Sequence, residues 1–242
     1  MDVVKIGGSI LFDRNGEINE AVVRNFLEYL KGRNIVLVVG CGSYLHNWVL
    51  SCALTDDVNL NGDMVKDVSL GYMAISKVVN CRLTELSEEL SMHYCPVYKL
   101  FIKRSDGRKD RSGIVEFNAE HLTVPMITSG GIVPDILKGY AAISSDTVAA
   151  YLAQYLVADR LIVFTDVDGV WDSMNTRILL RSLCVRNMDE IDLGGGMADK
   201  IRRIKNSLIN KNCKVVIANG YKREVISEVM NGVYDKCTQI LL

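Results

Sequence analysis

The stretch Val3-Val4-Lys5-Ile6-Gly7-Gly8-Ser9, close to the amino terminus, carries the strongest indication of the fold. A short apolar run with β propensity leads directly into two glycines, which is typical of a buried strand that ends in a tight turn. Such a turn exposes backbone N–H groups with no side chains in the way, so it can cradle a phosphate. Lys5 lies inside the apolar strand, where a lysine needs a partner of opposite charge. The stretch therefore predicts a strand end that binds an anion.

Further short β-branched runs alternate with segments of helical period along the rest of the chain. The predicted strands are Val3–Ile6, Ile35–Val39, Val124–Thr128, Arg160–Thr165 and Val215–Ala218. They are apolar at consecutive positions, as strands covered by helices on both faces must be. Helices are predicted from Asn19, from Val65 to Met92, after Asp146, and from Met197 to Lys211. This alternation predicts an α/β protein with a mostly parallel sheet.

Two more glycine turns follow predicted strands. One is Gly40-Cys41-Gly42-Ser43 and the other is Ser129-Gly130-Gly131. The carboxyl ends of parallel strands meet at one edge of the sheet, so the three turns are expected to converge where ligands usually bind. Any one of these glycines could instead serve only a tight turn. The chain has no GxxxxGK[ST] motif, and no GxGxxG opens a helix, which disfavours P-loop and dinucleotide-binding folds.

Composition excludes several classes of partner. The 28 Lys and Arg residues nearly balance the 29 Asp and Glu residues, so no global field attracts nucleic acid. The seven cysteines include no CxxC pair, which favours reduced thiols over disulfides or a zinc site. The start of the chain lacks the features of a secretion signal, and no apolar stretch is long enough to span a membrane. We therefore expect a cytoplasmic protein. The polar, basic stretch Lys103 to Gly113 is expected to be an exposed hairpin or mobile loop.

Four motifs in order give the chain a resemblance to the amino acid kinase superfamily. They are Lys5-Ile6-Gly7-Gly8-Ser9, Ile143-Ser144-Ser145-Asp146-Thr147-Val148-Ala149, Thr165-Asp166-Val167-Asp168-Gly169-Val170 and Gly195-Gly196-Met197-Ala198-Asp199-Lys200. The resemblance implies a three-layer αβα sandwich with a mostly parallel central sheet, in a single domain over residues 1–242. It also implies an acceptor-binding lobe at 1–142, a nucleotide-binding lobe at 143–242, and a homodimer.

Within the superfamily, Gly40-Cys41-Gly42-Ser43-Tyr44-Leu45-His46 is similar to the corresponding segment of isopentenyl phosphate kinases. There the histidine holds the acceptor anion. The chain departs from that subgroup at Leu45, where glycine is usual, and at Gly131, where aspartate is usual. The segment Ser144–Ala150 is partly similar to acetylglutamate kinases, which keeps a carboxylate acceptor open. A third hypothesis is a non-catalytic nucleotide- or oxyanion-binding protein, which the combination of Lys5, Asp146 and Lys200 disfavours.

The resemblance also assigns residues to roles. The catalytic residues are Lys5, His46, Asp146 and Lys200. The two lysines are assigned to the bridging and leaving oxygens, and Asp146 holds both ammonium groups in place. The ATP-binding residues are Lys5, Gly7, Gly8, Ser9, Arg14, Thr165, Asp166, Asp168, Gly169, Gly195, Gly196, Met197 and Lys200. The acceptor-binding residues are Gly40, Cys41, Gly42, Ser43, His46, Ser129, Gly130 and Gly131.

Simpler interpretations of some of these residues stay open. Asp146 could be the N-cap of a helix, because aspartate is a favoured cap. Lys200 could belong to a solvated basic face with Arg202, Arg203 and Lys205. Asp166 and Asp168 could be turn formers before Gly169. No protein ligands to a metal are predicted, since Mg²⁺ is expected to be held mainly by phosphate oxygens. Asn219-Gly220 is expected to shape the adenine side.

The implied reaction is transfer of the γ-phosphoryl group of ATP to a small isoprenoid monophosphate. Isopentenyl phosphate would become isopentenyl diphosphate by direct in-line displacement. The alternative enzyme is a carboxylate kinase of the acetylglutamate type.

Overall fold

The computed structural model describes residues 1–13, 17–40, 80–104, 113–137, 139–173, 175–186, 194–210 and 212–242. The predicted site residues Arg14, Cys41, Gly42, Ser43 and His46 lie outside this part of the chain. So does most of the predicted helix from Val65 to Met92, of which residues 80–90 are described and are helical.

The described strands and helices alternate along the chain. The strands are β1 (Asp2–Ile6), β2 (Ile35–Val39), β3 (His93–Tyr94), β4 (Phe101–Lys103), β5 (Ile114–Phe117), β6 (Met126–Ser129), β7 (Gly131–Asp135), β8 (Gly139–Ile143), β9 (Arg160–Thr165), β10 (Ser182–Cys184), β11 (Lys214–Asn219) and β12 (Thr238–Leu241). The helices are α1 (Gly8–Leu11), α2 (Glu20–Leu30), α3 (80–90), α4 (Val97–Leu100), α5 (Ser145–Tyr155), α6 (Gly194–Ser207) and α7 (Arg223–Met230), with a 3₁₀ turn at Ala119–His121.

The main sheet of the described chain has eight strands in the order β10-β12-β11-β9-β1-β2-β6-β3. Neighbouring strands are parallel, apart from the antiparallel pair β11 and β12. Helices cover both faces, so the predicted α/β class with a mostly parallel sheet is confirmed.

The two faces of the sheet belong to two separate cores, because successive side chains of a strand point in opposite directions. Val4 and Ile6 of β1 face a core built with α1, α2, α3 and α7. Val3 faces the other core, which α5 and α6 complete. The same alternation places Lys5 on the face covered by α5 and α6, at the carboxyl end of its strand. This position decides what Lys5 can contact.

A second sheet, in the order β5-β4-β7-β8, was not predicted from the sequence. Its strands β4 and β5 pair antiparallel on either side of the polar stretch, which confirms the hairpin expected there. Lys103 itself corrects the prediction of an exposed segment. It is only 6% exposed, and its Nζ donates a hydrogen bond to the Ala142 carbonyl at 2.9 Å.

Several element boundaries also differ from those predicted. The strand predicted at Val124–Thr128 begins at Met126 instead, because Pro125 has no N–H to contribute to the ladder. Helix α6 begins at Gly194 rather than Met197, so Gly195 and Gly196 belong to its first turn instead of a preceding loop.

An ion pair joins two neighbouring strands at their amino ends in the main sheet. The Arg160 guanidinium donates to both carboxylate oxygens of Asp2, its register partner on the neighbouring strand. The same guanidinium donates to the Val229 carbonyl at 3.2 Å, which ties α7 to these strand ends. The carboxyl ends of the strands, on the opposite side of the sheet, are where parallel sheets usually bind their ligands. In the described residues, no helix combines the length and apolar character needed to cross a membrane.

Candidate active site at the carboxyl edge of the sheet

Strand-end glycines extend the parallel ladder by one hydrogen bond beyond the ends of the strands. The bonds run from Gly7 N to Phe164 O (2.9 Å), Gly40 N to Ile6 O (2.9 Å), Gly130 N to Val39 O (3.1 Å) and Gly220 N to Thr165 O (2.8 Å). The first glycines of the three turns, Gly7, Gly40 and Gly130, therefore lie together at the carboxyl ends of the strands, as predicted, and Gly220 adds a fourth. One detail differs from expectation. The first glycine amide of each turn already bonds to the sheet, so an anion must use amides further along, such as those of Gly8 and Ser9 in the first turn of α1.

The turns are packed so closely that only glycine fits at two positions. A Cβ on Gly40 would lie 2.4 Å from the backbone nitrogen of Gly8. A Cβ on Gly130 would lie 2.5 Å from the backbone nitrogen of Ser145. Gly40 therefore touches the first turn, Gly7–Ser9, which is the predicted phosphate loop, and Gly130 touches the start of α5. Gly130 is followed by β7, so this third turn leads into a strand and not into a helix.

Asp146 lies between two lysines that come from different elements. Its Oδ1 is 3.0 Å from Lys5 Nζ and 3.4 Å from Lys200 Nζ, and its Oδ2 is 3.5 Å from Lys200 Nζ. The three side chains are 5%, 13% and 14% exposed for Lys5, Asp146 and Lys200 respectively. The expectation that one carboxylate holds both ammonium groups is confirmed as geometry. The catalytic roles of the three residues stay a prediction.

Local structure explains how Asp146 and Lys200 reach this position. Ser144 is the N-cap of α5, and its Oγ accepts a hydrogen bond from the Asp146 backbone nitrogen at 3.1 Å. Asp146 is therefore in the first turn, and the N-cap interpretation is wrong. A carboxylate there is favoured by the helix dipole. Lys200 points inward from α6 and is mostly buried, so the interpretation as a solvated face is also wrong for this residue.

Electrostatics sets the charge of this cluster. Burial lowers the pKa of Lys5 to about 8, an effect opposed by the attraction of Asp146 and increased by the like charge of Lys200. Burial alone would raise the pKa of Asp146, but the charges of Lys5 and Lys200 outweigh it and hold that pKa below its usual range. Near neutral pH the cluster therefore carries two positive charges and one negative charge. The surplus positive charge suits a phosphate, and the ionised Asp146 is a poor general base.

The ends of β9 and β11 form the other side of the site. Asp168 Oδ1 accepts from Asn219 Nδ2 at 2.9 Å and lies 2.7 Å from Lys222 Nζ. The hydrogen bond from Lys222 lowers the pKa of Asp168, and burial opposes it. Tyr221 Oη donates to the Ser9 carbonyl at 2.8 Å. Sequence reasoning missed Tyr221 and Lys222, although their place directly after the carboxyl end of a central strand could have indicated them.

Other predicted nucleotide-binding residues lie at the end of β9 and in α6. Thr165 Oγ1 donates to Asp166 Oδ1 at 3.1 Å, at the end of β9. Gly169 packs against β12, since a Cβ there would lie 2.5 Å from Thr238 Oγ1. Met197 packs partly against the core formed with α5 and α6. Within the described residues, no group of three His, Cys, Asp or Glu side chains could hold a metal ion.

The family model that matches the chain and its full-length relatives show that it is an ATP-dependent kinase. More particularly, the chain belongs to the amino acid kinase family, whose family model matches residues 2–219.

Two relatives and one solved structure show the range of this similarity. The chain is 29% identical to the isopentenyl phosphate kinase of Methanocaldococcus jannaschii, over 96% of this chain and 95% of the relative. It is 27% identical to an acetylglutamate kinase of Staphylococcus aureus, over 95% of this chain and 93% of the relative. A solved isopentenyl phosphate kinase superposes with a TM-score of 0.77 at 17% identity, covering 99% of both chains. At that identity the superposition shows the fold alone.

Proposed function

We propose that the chain transfers the γ-phosphoryl group of ATP to isopentenyl phosphate, giving isopentenyl diphosphate and ADP. The observation that carries the phosphoryl-transfer part is the buried cluster of Lys5, Asp146 and Lys200 at the edge where the glycine turns meet. Full-length similarity to an isopentenyl phosphate kinase supports the acceptor.

The described site favours an acceptor that is already ionised at neutral pH. An alcohol would need a base to remove its proton, whereas Asp146 is paired with two ammonium groups and has a lowered pKa. A phosphate monoester has a second pKa of about 6 and reaches the site largely as the dianion. A carboxylate is ionised as well, so the acetylglutamate-type reaction remains the second candidate, supported by the relative from Staphylococcus aureus.

The proposed mechanism is a direct in-line displacement. An oxygen of the acceptor phosphate forms the new bond to the γ-phosphorus, while the bond from that phosphorus to the bridging oxygen breaks and ADP leaves. Lys5 and Lys200 neutralise charge on the transferred and leaving oxygens, and Asp146 keeps their ammonium groups in register. His46, outside the described residues, would donate a hydrogen bond to the acceptor phosphate. No covalent enzyme intermediate is required.

Mg²⁺ fits this proposal as an ion that arrives with the nucleotide. The described residues offer no three-ligand cluster for it, and the phosphate oxygens of ATP supply the hard oxygen ligands that it prefers. The proposal also retains the acceptor lobe at 1–142 and the nucleotide lobe at 143–242. A homodimer and a cytoplasmic location stay predictions.

Phosphorus NMR of the purified protein distinguishes the two acceptors. With magnesium-ATP and isopentenyl phosphate we expect paired diphosphate resonances to appear as ADP forms. With acetylglutamate we expect no acyl phosphate. Acyl phosphate formed only with acetylglutamate would overturn the proposed acceptor and leave the kinase class intact.

The pH dependence should show an alkaline limb set by Lys5. Its ammonium form is nearly complete at about pH 7 and is lost as the pH rises through its pKa of about 8. We therefore expect kcat/KM to be level up to about pH 7, to be about half of its plateau value near pH 8, and to fall by up to tenfold per pH unit above that. In a Lys5→Arg variant with measurable activity, this limb should disappear, because a guanidinium keeps its proton throughout the range. A wild-type profile that stays level to pH 9.5 would contradict the assignment.

A further inference from the structure

We infer that Tyr221 and Asn219 are positioning residues, which hold the phosphate loop and the end of β9 in one fixed arrangement around the nucleotide. The inference goes beyond the proposed acceptor and rests only on ATP being the phosphoryl donor. Three segments are involved: Gly7–Ser9 after β1, Thr165–Gly169 after β9, and Asn219–Lys222 after β11. Neither Tyr221 nor Asn219 needs to touch the reacting atoms for this role.

Asn219 is oriented by bonds on both sides of its amide. Its Oδ1 accepts from the Tyr221 backbone nitrogen at 2.8 Å, and its Nδ2 donates to Asp168 at 2.9 Å. The residue is only 7% exposed, so an unbonded amide here would be costly. The amide oxygen has a donor as its partner and the amide nitrogen has an acceptor, so a flipped side chain would lose both hydrogen bonds. Asn219 therefore sets the path of the chain into Tyr221 and fixes Asp168 at the same time.

Tyr221 carries the connection across the sheet edge to the phosphate loop. Its hydroxyl donates to the Ser9 carbonyl at 2.8 Å, a contact between residues 212 positions apart in sequence. A second contact joins the same two segments. Gly220 packs so tightly on α1 that a Cβ there would lie 2.6 Å from Ile10 Cδ1. The loop after β11 is thus docked onto α1 both by a hydrogen bond and by packing.

Lys222 completes the network with a charge. Its Nζ is 2.7 Å from the same Asp168 oxygen that Asn219 binds, and both side chains are nearly half exposed. An exposed pair of this kind adds little to stability. At the edge where phosphates are proposed to bind, however, it offsets a negative charge that would repel them. Asp168 thereby acts on the nucleotide through the network and need not contact it.

The Tyr221→Phe variant loses only the hydroxyl, so it distinguishes a positioning role from a purely structural one. We expect the Kd of a non-hydrolysable ATP analogue, measured by titration calorimetry, to rise by about fivefold. The melting temperature should stay within about one degree, because Tyr221 is 46% exposed and its ring is retained. Tyr155→Phe is the matched control, since Tyr155 is 49% exposed and lies at the far end of α5. Its Kd should equal that of the wild type.

Combining Tyr221→Phe with Asn219→Ala tests whether the network acts as one unit. If it does, the Kd of the double variant should be about equal to that of whichever single variant binds the analogue less tightly. Fold-changes that multiply, or a Kd unchanged by Tyr221→Phe, would overturn the inference. Since no acceptor is present in this titration, the result is independent of whether isopentenyl phosphate proves to be the substrate.

Discussion

An Asp146→Asn enzyme should turn over at least about a thousand times more slowly than the wild type. The substitution keeps the size and shape of the side chain but removes the charge that lies 3.0 Å from Lys5 Nζ and 3.4 Å from Lys200 Nζ. Without it, the two ammonium groups repel each other, and the already lowered pKa of Lys5 falls further. Loss of one preorganised charge contact typically costs two to three powers of ten in kcat, and here two contacts are disturbed together. Steady-state kinetics at pH 7 measures the effect.

A partial rescue at lower pH would identify the cause. Lys5 in the variant should regain its proton as the pH falls from 8 to 6, so the deficit relative to the wild type should shrink in that direction. Asp159→Asn is the control, because Asp159 is an exposed aspartate that pairs with the chain's terminal ammonium group at the opposite edge of the sheet. Its kcat should be within about twofold of the wild type. An Asp146→Asn kcat within tenfold of the wild type would refute the role given to the cluster.

Gly40→Ala should reduce kcat/KM by about a hundredfold or more. The added Cβ would lie 2.4 Å from Gly8 N and 3.0 Å from Gly8 Cα, which are backbone atoms that cannot rotate away. Relief requires the predicted phosphate loop to move by a substantial fraction of an ångström. A displacement of about 1 Å at a reacting centre can cost about a hundredfold in rate. The measurement is kcat/KM for ATP, together with the Kd of an ATP analogue.

Gly32→Ala is the control that distinguishes a loss of kcat/KM caused by a change in the site from one caused by lower stability. Gly32 has a φ of +75°, and a Cβ there would meet nothing within 4 Å. The strained backbone should cost about 1 kcal/mol of stability and leave kinetics at 25 °C unchanged. If Gly40→Ala behaved like Gly32→Ala, with reduced melting temperature and normal kinetics, the tight contact would have no bearing on catalysis.

Patterns local in sequence predicted the centre of the fold well. Ile35–Val39 and Arg160–Thr165 were predicted with the bounds that the structure has, because buried parallel strands are continuous apolar runs. Lys5 was noticed because a lysine in such a run needs a partner. The partner itself came from a resemblance of motifs, since no local pattern relates Lys5 to residues near positions 146 and 200.

Features that depend on distant contacts were not predictable in the same way. The second sheet is built from short strands interrupted by glycine and proline, such as Gly131–Asp135, which carry little strand signal. Lys103 was placed at the surface from its polar neighbours, but β8 supplies a carbonyl that allows it to be buried. Tyr221 gains its significance only from Ser9, 212 positions away.

The ladder bonds of the strand-end glycines have one more consequence. Gly7, Gly40, Gly130 and Gly220 are fixed by carbonyls of neighbouring strands, so the backbone beside the proposed phosphate site is ordered when the sheet forms. Ordering a backbone residue costs about 1–2 kcal/mol of conformational entropy. Because this backbone is already ordered in the folded protein, nucleotide binding does not have to offset that loss of entropy. More of the binding free energy can then contribute to aligning the reacting groups.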